Sequence, residues 1–181
     1  MSANWGNKIE LSIFGESHGP AIGIVIGGLP AGMKLDVDEI RWFMKRRAPG
    51  QNQMSTPRKE KDEFQIVSGI LDGVTTGAPL CAMIENTNTH SKDYSELKVN
   101  MRPGHSDYPA YIKYHGYNDV RGGGHFSGRL TAPIVLAGSI ARQILLEKGI
   151  IIGAHMKQIH HIQDESFPVD IDDELLKQLS H

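Results

Sequence analysis

The chain has 181 residues, of which 39% are hydrophobic and 22% are charged, the composition of an ordinary soluble domain with a sizeable core. Its net charge of −2 argues against a nucleic-acid binder that is basic throughout. No apolar run is long enough to span a membrane and the N-terminus has no signal-peptide pattern, so we expect a cytoplasmic protein without membrane contact. The single cysteine, Cys81, excludes an intrachain disulfide and fits a reducing compartment.

The first half of the chain predicts two pairs of strands and one helix. Residues 9–14 and 22–26 are rich in β-branched residues and predict an antiparallel pair joined by a turn at residues 15–20. Asp36, with Glu39 three residues later, predicts a helix N-cap, and the helix runs to about Arg47 before Pro49 and Gly50. After a polar loop at residues 48–62, residues 64–71 and 78–84 predict a second strand pair.

The second half predicts fewer regular elements. Residues 86–121 are expected to be irregular, a helix is expected at residues 130–147, a strand at 150–162 and an amphipathic helix at 170–179. Antiparallel strand pairs with helices between them favour an α+β fold. The glycines at 122–124 do not follow a strand in the Gly-x-Gly-x-x-Gly pattern, so a dinucleotide-binding fold is not expected.

Three short stretches carry the candidate chemistry. Gly122, Gly123 and Gly124 stand between arginines and precede the predicted helix, an arrangement that suits an anionic ligand such as phosphate. His18 lies in the turn at residues 15–20, where it is either a proton donor and acceptor or an exposed turn residue. His105 follows an Arg-Pro-Gly bend, and Asp107 either orients its imidazole or caps the next turn.

Charge distribution adds a further hypothesis. Residues 41–61 carry seven basic residues and one acid. A solvated helix end is the common explanation of such a tract, but the excess favours a polyanionic ligand. The remaining histidines show no metal-ligand spacing, and no metal site is predicted.

Taken in order, residues 14–19 (Phe-Gly-Glu-Ser-His-Gly), 102–108 (Arg-Pro-Gly-His-Ser-Asp-Tyr) and 121–124 (Arg-Gly-Gly-Gly) resemble the chorismate synthase family. The resemblance extends from the first strand to about residue 157. It implies a lyase of the shikimate pathway that converts 5-enolpyruvylshikimate-3-phosphate to chorismate and phosphate by anti-1,4-elimination, with reduced FMN and, in some members, NADPH. It also implies helices sandwiched between antiparallel sheets, in a homotetramer.

The resemblance assigns roles residue by residue. It implies that His18 and His105 are catalytic and should face one shared hollow. Five residues match substrate contacts, namely Ser17, Arg47, Arg58, Arg102 and Arg129. FMN would lie against His125, Phe126 and Ser127, and Arg47 also matches an NADPH-linked position. Many members have Arg-Ser-Ser at residues 125–127, so this chain lacks one charge and one hydroxyl there, and a second NADPH-linked arginine is replaced by Gln53.

Length is the largest departure from the family pattern, because members are about twice as long. We therefore expect residues 1–181 to be the N-terminal part of one larger catalytic domain, without its C-terminal half, and to have negligible turnover alone. Two other hypotheses remain open. One is a non-catalytic anion-binding module, and the other is an RNA-binding domain that uses the basic tract and the tyrosines.

Overall fold

The computed structural model describes residues 3–50, 62–87, 96–168 and 170–179. Its strands and helices are, in chain order, β1 (Asn4–Gly6), β2 (Glu10–Gly15), β3 (Ala21–Gly27), α1 (Val37–Arg47), β4 (Phe64–Ser68), β5 (Ile70–Leu71), β6 (Val74–Thr75), β7 (Leu80–Glu85), α2 (Asp107–Lys113), α3 (Thr131–Leu146), β8 (Gln158–Ile159), β9 (Ile162–Gln163) and α4 (Asp173–Leu179). Two 3₁₀ segments, Arg121–Phe126 and Gly128–Leu130, precede α3.

Five strands form one antiparallel sheet in the order β1-β2-β3-β7-β4. Burial alternates along β7, as in a strand with one covered face, and β3 likewise buries every second residue from Ile22 to Ile26, together with Gly23. Ile22, Ile24 and Ile26 of β3 are almost fully buried, and each pairs with a buried residue of β7. The predicted α+β class is therefore confirmed, together with the β2–β3 pair and the pairing of β4 with β7.

Helix α1 begins where the sequence predicts. The Asp36 carboxylate accepts hydrogen bonds from the N–H groups of Asp38 and Glu39 at 3.0 and 2.9 Å, so it caps the helix. Ile40 and Met44 are buried on one face. Further apolar burial comes from α3, where Leu136 is 1% exposed.

The second half of the chain departs from expectation in two places. Helix α2 lies inside the segment expected to be irregular. The strand expected at 150–162 is wrong, because only the two-residue strands β8 and β9 form, and they pair with each other. Ile150 and Ile152 are exposed, so the β-branched composition of this stretch does not lead to sheet pairing.

Contacts divide the chain into two compact units, residues 1–139 and 140–181. All of the site residues below belong to the first. Among the described residues, Arg121–Leu146 is the one stretch that meets the length and composition of a membrane span. The glycines bend its first part, and the 16 residues of α3 are fewer than the roughly 20 that a span requires.

Candidate active site

The turn between β2 and β3 holds two buried polar side chains. Ser17 is 1% exposed and His18 is 5% exposed, so the interpretation of His18 as an exposed turn residue is wrong. The Ser17 N–H donates to the Gly124 carbonyl at 3.1 Å, which fastens this turn to the glycine segment. Within the described part of the chain, the Ser17 hydroxyl is buried without a hydrogen-bond partner, so it is available to a ligand.

The glycine segment brings the two predicted catalytic histidines together. Gly122, Gly123 and Gly124 have φ values of 60°, 86° and 55°, a region that glycine adopts without strain. A Cβ on Gly122 would overlap His18 Nδ1, and one on Gly123 would lie 2.7 Å from His105 Cε1. The two imidazoles therefore lie against neighbouring residues of a single turn.

His105 is held by a charged cluster. The Arg102 guanidinium donates to both carboxylate oxygens of Asp107, at 2.8 and 2.9 Å. The Arg102 backbone N–H donates to the same carboxylate at 3.0 Å. These hydrogen bonds from Arg102 hold the pKa of Asp107 well below its ordinary value, although burial opposes them. Asp107 is therefore ionised at neutral pH and can only accept hydrogen bonds.

The ionised carboxylate fixes the orientation of the His105 ring. His105 Nδ1 lies 2.8 Å from Asp107 Oδ1, so Nδ1 carries the proton and donates it to the carboxylate. Nε2 is then the atom left for a ligand, and it faces Gly123, where an added Cβ would lie 3.0 Å from it. Of the two roles considered for Asp107, orientation of the imidazole is the one that the contacts show.

Two predicted substrate arginines share one buried carboxylate. Asp62 accepts from Arg47 Nη1 at 2.5 Å and from Arg129 Nη1 in a short contact. Both Asp62 and Arg129 are almost fully buried, whereas Arg47 also donates to the Gly128 carbonyl and the Thr131 hydroxyl at 3.3 Å. In this cluster of Arg47, Asp62 and Arg129, the contact between Asp62 and Arg129 is shielded from solvent, whereas Arg47 is partly exposed.

His125 and Phe126 stand between two clefts of about 640 and 560 Å³. The first cleft is polar at one end, where Glu16 and Asp119 lie close together. Burial and then the neighbouring Asp119 raise the pKa of Glu16, while hydrogen bonds from Arg121 lower the pKa of Asp119. The second cleft is lined mainly by apolar side chains from β1, β2 and α3, together with Ser127.

Residues 9–180 match the model of one protein family, described as chorismate synthase. The chain belongs to the chorismate synthase family. Chorismate synthase from Thermococcus kodakarensis is 45% identical over 166 residues, which are 92% of this chain and 46% of that protein. The chorismate synthase of Ralstonia nicotianae is 48% identical over 165 residues, 90% of this chain and 45% of that protein.

A crystal structure of chorismate synthase is similar to this chain with a TM-score of 0.58 and 27% sequence identity. The match covers 87% of this chain and 39% of that chain. It confirms the chorismate-synthase-like fold. The chain spans less than half the length of the curated relatives that it matches.

The family resemblance predicted several residues that the structure brings together and missed others. Ser17, His18, Arg102 and His105 meet at the glycine turn, and Arg47 and Arg129 meet at Asp62. Arg58 and Gln53 lie outside the described residues. Asp62 and Asn86 were missed, although an acid that directly follows a basic tract, as Asp62 does, is a candidate partner for its arginines.

Proposed function

We propose that this chain forms part of the active site of a chorismate synthase that converts 5-enolpyruvylshikimate-3-phosphate to chorismate and phosphate by anti-1,4-elimination. The observation that carries the proposal is the meeting of His18 and His105 at Gly122 and Gly123, in a chain of this family. In this reaction the C–O bond to phosphate breaks and the phosphate takes the bonding pair. A C6 hydrogen leaves the ring and a new double bond forms.

His105 and Arg102 suit the departing phosphate. Positive charge and hydrogen-bond donors near the developing anion stabilise the transition state. Because Asp107 accepts the Nδ1 hydrogen of His105, a protonated imidazole would present its Nε2–H to a phosphate oxygen at the glycine turn. Arg102 is anchored to the same carboxylate, so its charge stays in place beside the ring.

His18 and Ser17 suit a different task, which is proton transfer out of contact with bulk water. A buried imidazole exchanges its proton with groups inside the site and not with bulk water. The Ser17 hydroxyl would contact the substrate. Arg47 and Arg129 would offer guanidinium hydrogen-bond donors to the substrate's carboxylates. Arg58 is proposed as a further substrate contact on the family resemblance alone.

The apolar cleft beside His125, Phe126 and Ser127 has the chemistry expected for a flat aromatic cofactor. We propose that these residues hold reduced FMN, which when bound would lend electron density to the breaking C–O bond and recover it. Arg47 would contact NADPH in a member with its own flavin reductase activity. We further propose a cytoplasmic homotetramer in which residues 1–181 are the N-terminal part of one larger catalytic domain.

The proposal is tested by binding of 5-enolpyruvylshikimate-3-phosphate in the presence of FMN, followed by NMR of the histidine ring protons. We expect the resonances of His18 and His105 to move together on titration. His105→Ala should weaken binding about tenfold or more, because a charge-assisted hydrogen bond to phosphate is lost. His161→Ala, in the exposed β8–β9 turn, should change nothing.

Two results would redirect the proposal. If inorganic phosphate binds as tightly as the substrate and FMN has no effect, the chain is an anion-binding module without the proposed chemistry. If neither ligand moves the two histidine resonances, the site assignment is wrong. A turnover assay with reduced FMN and NADPH checks the separate expectation that residues 1–181 alone have negligible activity.

A further inference from the structure

Asn86, the first residue after β7, connects three parts of the candidate site. Its side-chain Nδ2 donates to the carbonyls of Glu16 and Gly19 at 3.0 and 2.8 Å. Its Oδ1 accepts from Arg129 Nε at 3.2 Å. Its backbone N–H donates to the Pro20 carbonyl at 3.1 Å. One side chain thus reaches both the turn that carries His18 and an arginine of the buried cluster.

The two carbonyls that Asn86 binds lie on either side of Ser17 and His18. A carboxamide provides two N–H donors and one carbonyl acceptor, and here all three are used. Aspartate has the same shape but no N–H, so it would place a carboxylate against two carbonyl oxygens. Alanine would remove every one of these bonds. The arrangement therefore depends on the chemistry of asparagine and not only on its size.

The Asn86 bonds act beside others that hold the turn, such as the 2.9 Å contact of His125 Nδ1 with the Gly15 carbonyl, and they link the turn to Arg129. The Ser17 N–H donates to the Gly124 carbonyl, and the Gly19 N–H donates to the Glu16 carbonyl, which closes the turn. A shift of the turn away from Gly124 would move the His18 imidazole off the glycine segment. It would also alter the distance between His18 and the Arg129 side chain, which comes from a different part of the chain.

We infer that Asn86 is a positioning residue that holds the His18 turn against Gly124 and in a fixed relation to Arg129. It acts through its hydrogen bonds to the turn and to Arg129. Its importance for the reaction rests on the proposed function, but its effect on the turn does not. The effect of Asn86 on the turn can therefore be tested separately from its importance for the reaction.

The test is amide hydrogen exchange of the ligand-free chain, measured by NMR, with the variants Asn86→Asp and Asn86→Ala. In both, the Ser17 amide should exchange roughly tenfold faster, because the bond to Gly124 opens more often, while the amides of β3 keep their rates. Asn7→Asp introduces the same charge change at an exposed position of the β1–β2 turn and should leave the Ser17 amide unchanged.

The chemical shift of the His18 ring proton at fixed pH separates positioning from bulk stability and from added charge. The His18 signal should move in both Asn86 variants, while that of His105 stays in place because Asp107 holds the His105 ring. Unchanged exchange at Ser17, equal acceleration across β3, or a His18 shift in Asn86→Asp alone would each overturn the inference. Failure of the chain to bind substrate would contradict the proposed function but would leave these readings intact.

Discussion

The two turns that carry His18 and His105 reach the same glycine segment but are held there by different forces. The His18 turn is buried and is held by neutral hydrogen bonds, from Asn86 and to Gly124. The His105 side chain is 31% exposed and is held by the ionised Asp107. Burial makes the first turn sensitive to changes in volume, whereas the second should respond to pH and salt.

Asp62→Asn should give the largest loss of stability, and it tests the buried part of the site to which the His18 turn belongs. It removes a carboxylate that both Arg47 and Arg129 contact, and loss of one partner from a buried ion pair costs about 3–5 kcal/mol. Urea unfolding measures the loss. Through Arg129 and Asn86, the change should also move the His18 resonance and leave that of His105 in place.

A matched acid provides the control. Asp38 pairs with Arg41 on the exposed surface of α1, so Asp38→Asn should cost no more than about 0.5 kcal/mol. If the two variants lose the same stability, Asp62 is not a buried partner of the arginines and the account of the cluster fails.

Gly122→Ala and Gly123→Ala compare the two histidines directly. Both glycines have positive φ, so alanine strains the backbone in both. At Gly122 the new methyl meets the buried His18 ring, which cannot move away, and we expect a cost of about 2–4 kcal/mol. At Gly123 it meets the half-exposed His105, which can shift, so the cost should be about 1–2 kcal/mol, mostly backbone strain.

Thermal unfolding of both variants decides the comparison. Gly138→Ala is the control, because this exposed helical position has nothing within 4 Å of the added Cβ, and alanine should stabilise the helix by roughly 0.5–1 kcal/mol. A larger loss at Gly123 than at Gly122 would reverse the ranking and show that His105 is the more tightly confined ring.

Local patterns in the sequence predicted the elements whose contacts are local. Asp36 caps the helix that begins at the next residue by accepting from the Glu39 N–H, and β2 pairs with β3 across a short turn. Neighbouring residues therefore contain the necessary information. Helix α2 was missed because its residues include Pro109 and two tyrosines, which favoured the interpretation of this segment as a loop. The strand at 150–162 was predicted from composition, although a strand also requires a partner.

The buried polar contacts could not be predicted from spacing. Asp62 and Arg129 are 67 residues apart, and Asn86 reaches back 70 residues to Glu16. No periodicity links such positions, and only the folded sheet brings them together. The sequence supplied the histidines and arginines of the site and offered Asp107 as a partner of His105, but it did not identify Asp62 or Asn86.

Asp107→Asn tests the charged side of the comparison. Because the Arg102 bonds lower the pKa of Asp107, its stabilisation is present above the ordinary aspartate pKa of about 4 and is lost as pH falls through the folded value. The variant should lose about 1–2 kcal/mol at neutral pH, since Arg102 is partly exposed to solvent. The difference from the wild type should vanish in acid. An equal difference at acidic and neutral pH would contradict the role of the charge.

Glu16→Gln should give the smallest change and the opposite pH dependence. Burial and Asp119 raise the pKa of Glu16, so its protonated form favours folding below the ordinary glutamate pKa of about 4.3, and this contribution is lost as pH rises through the folded value. Glutamine is neutral at every pH, so the variant should match the wild type in acid and be slightly more stable at pH 7. Unfolding temperatures at the two pH values measure it. Relative to the wild type, Asp107→Asn loses stability as the pH rises toward about 4, whereas Glu16→Gln gains stability as the pH rises above about 4.3. Changes of the same sign would show that the two turns do not differ in the way that burial and charge predict.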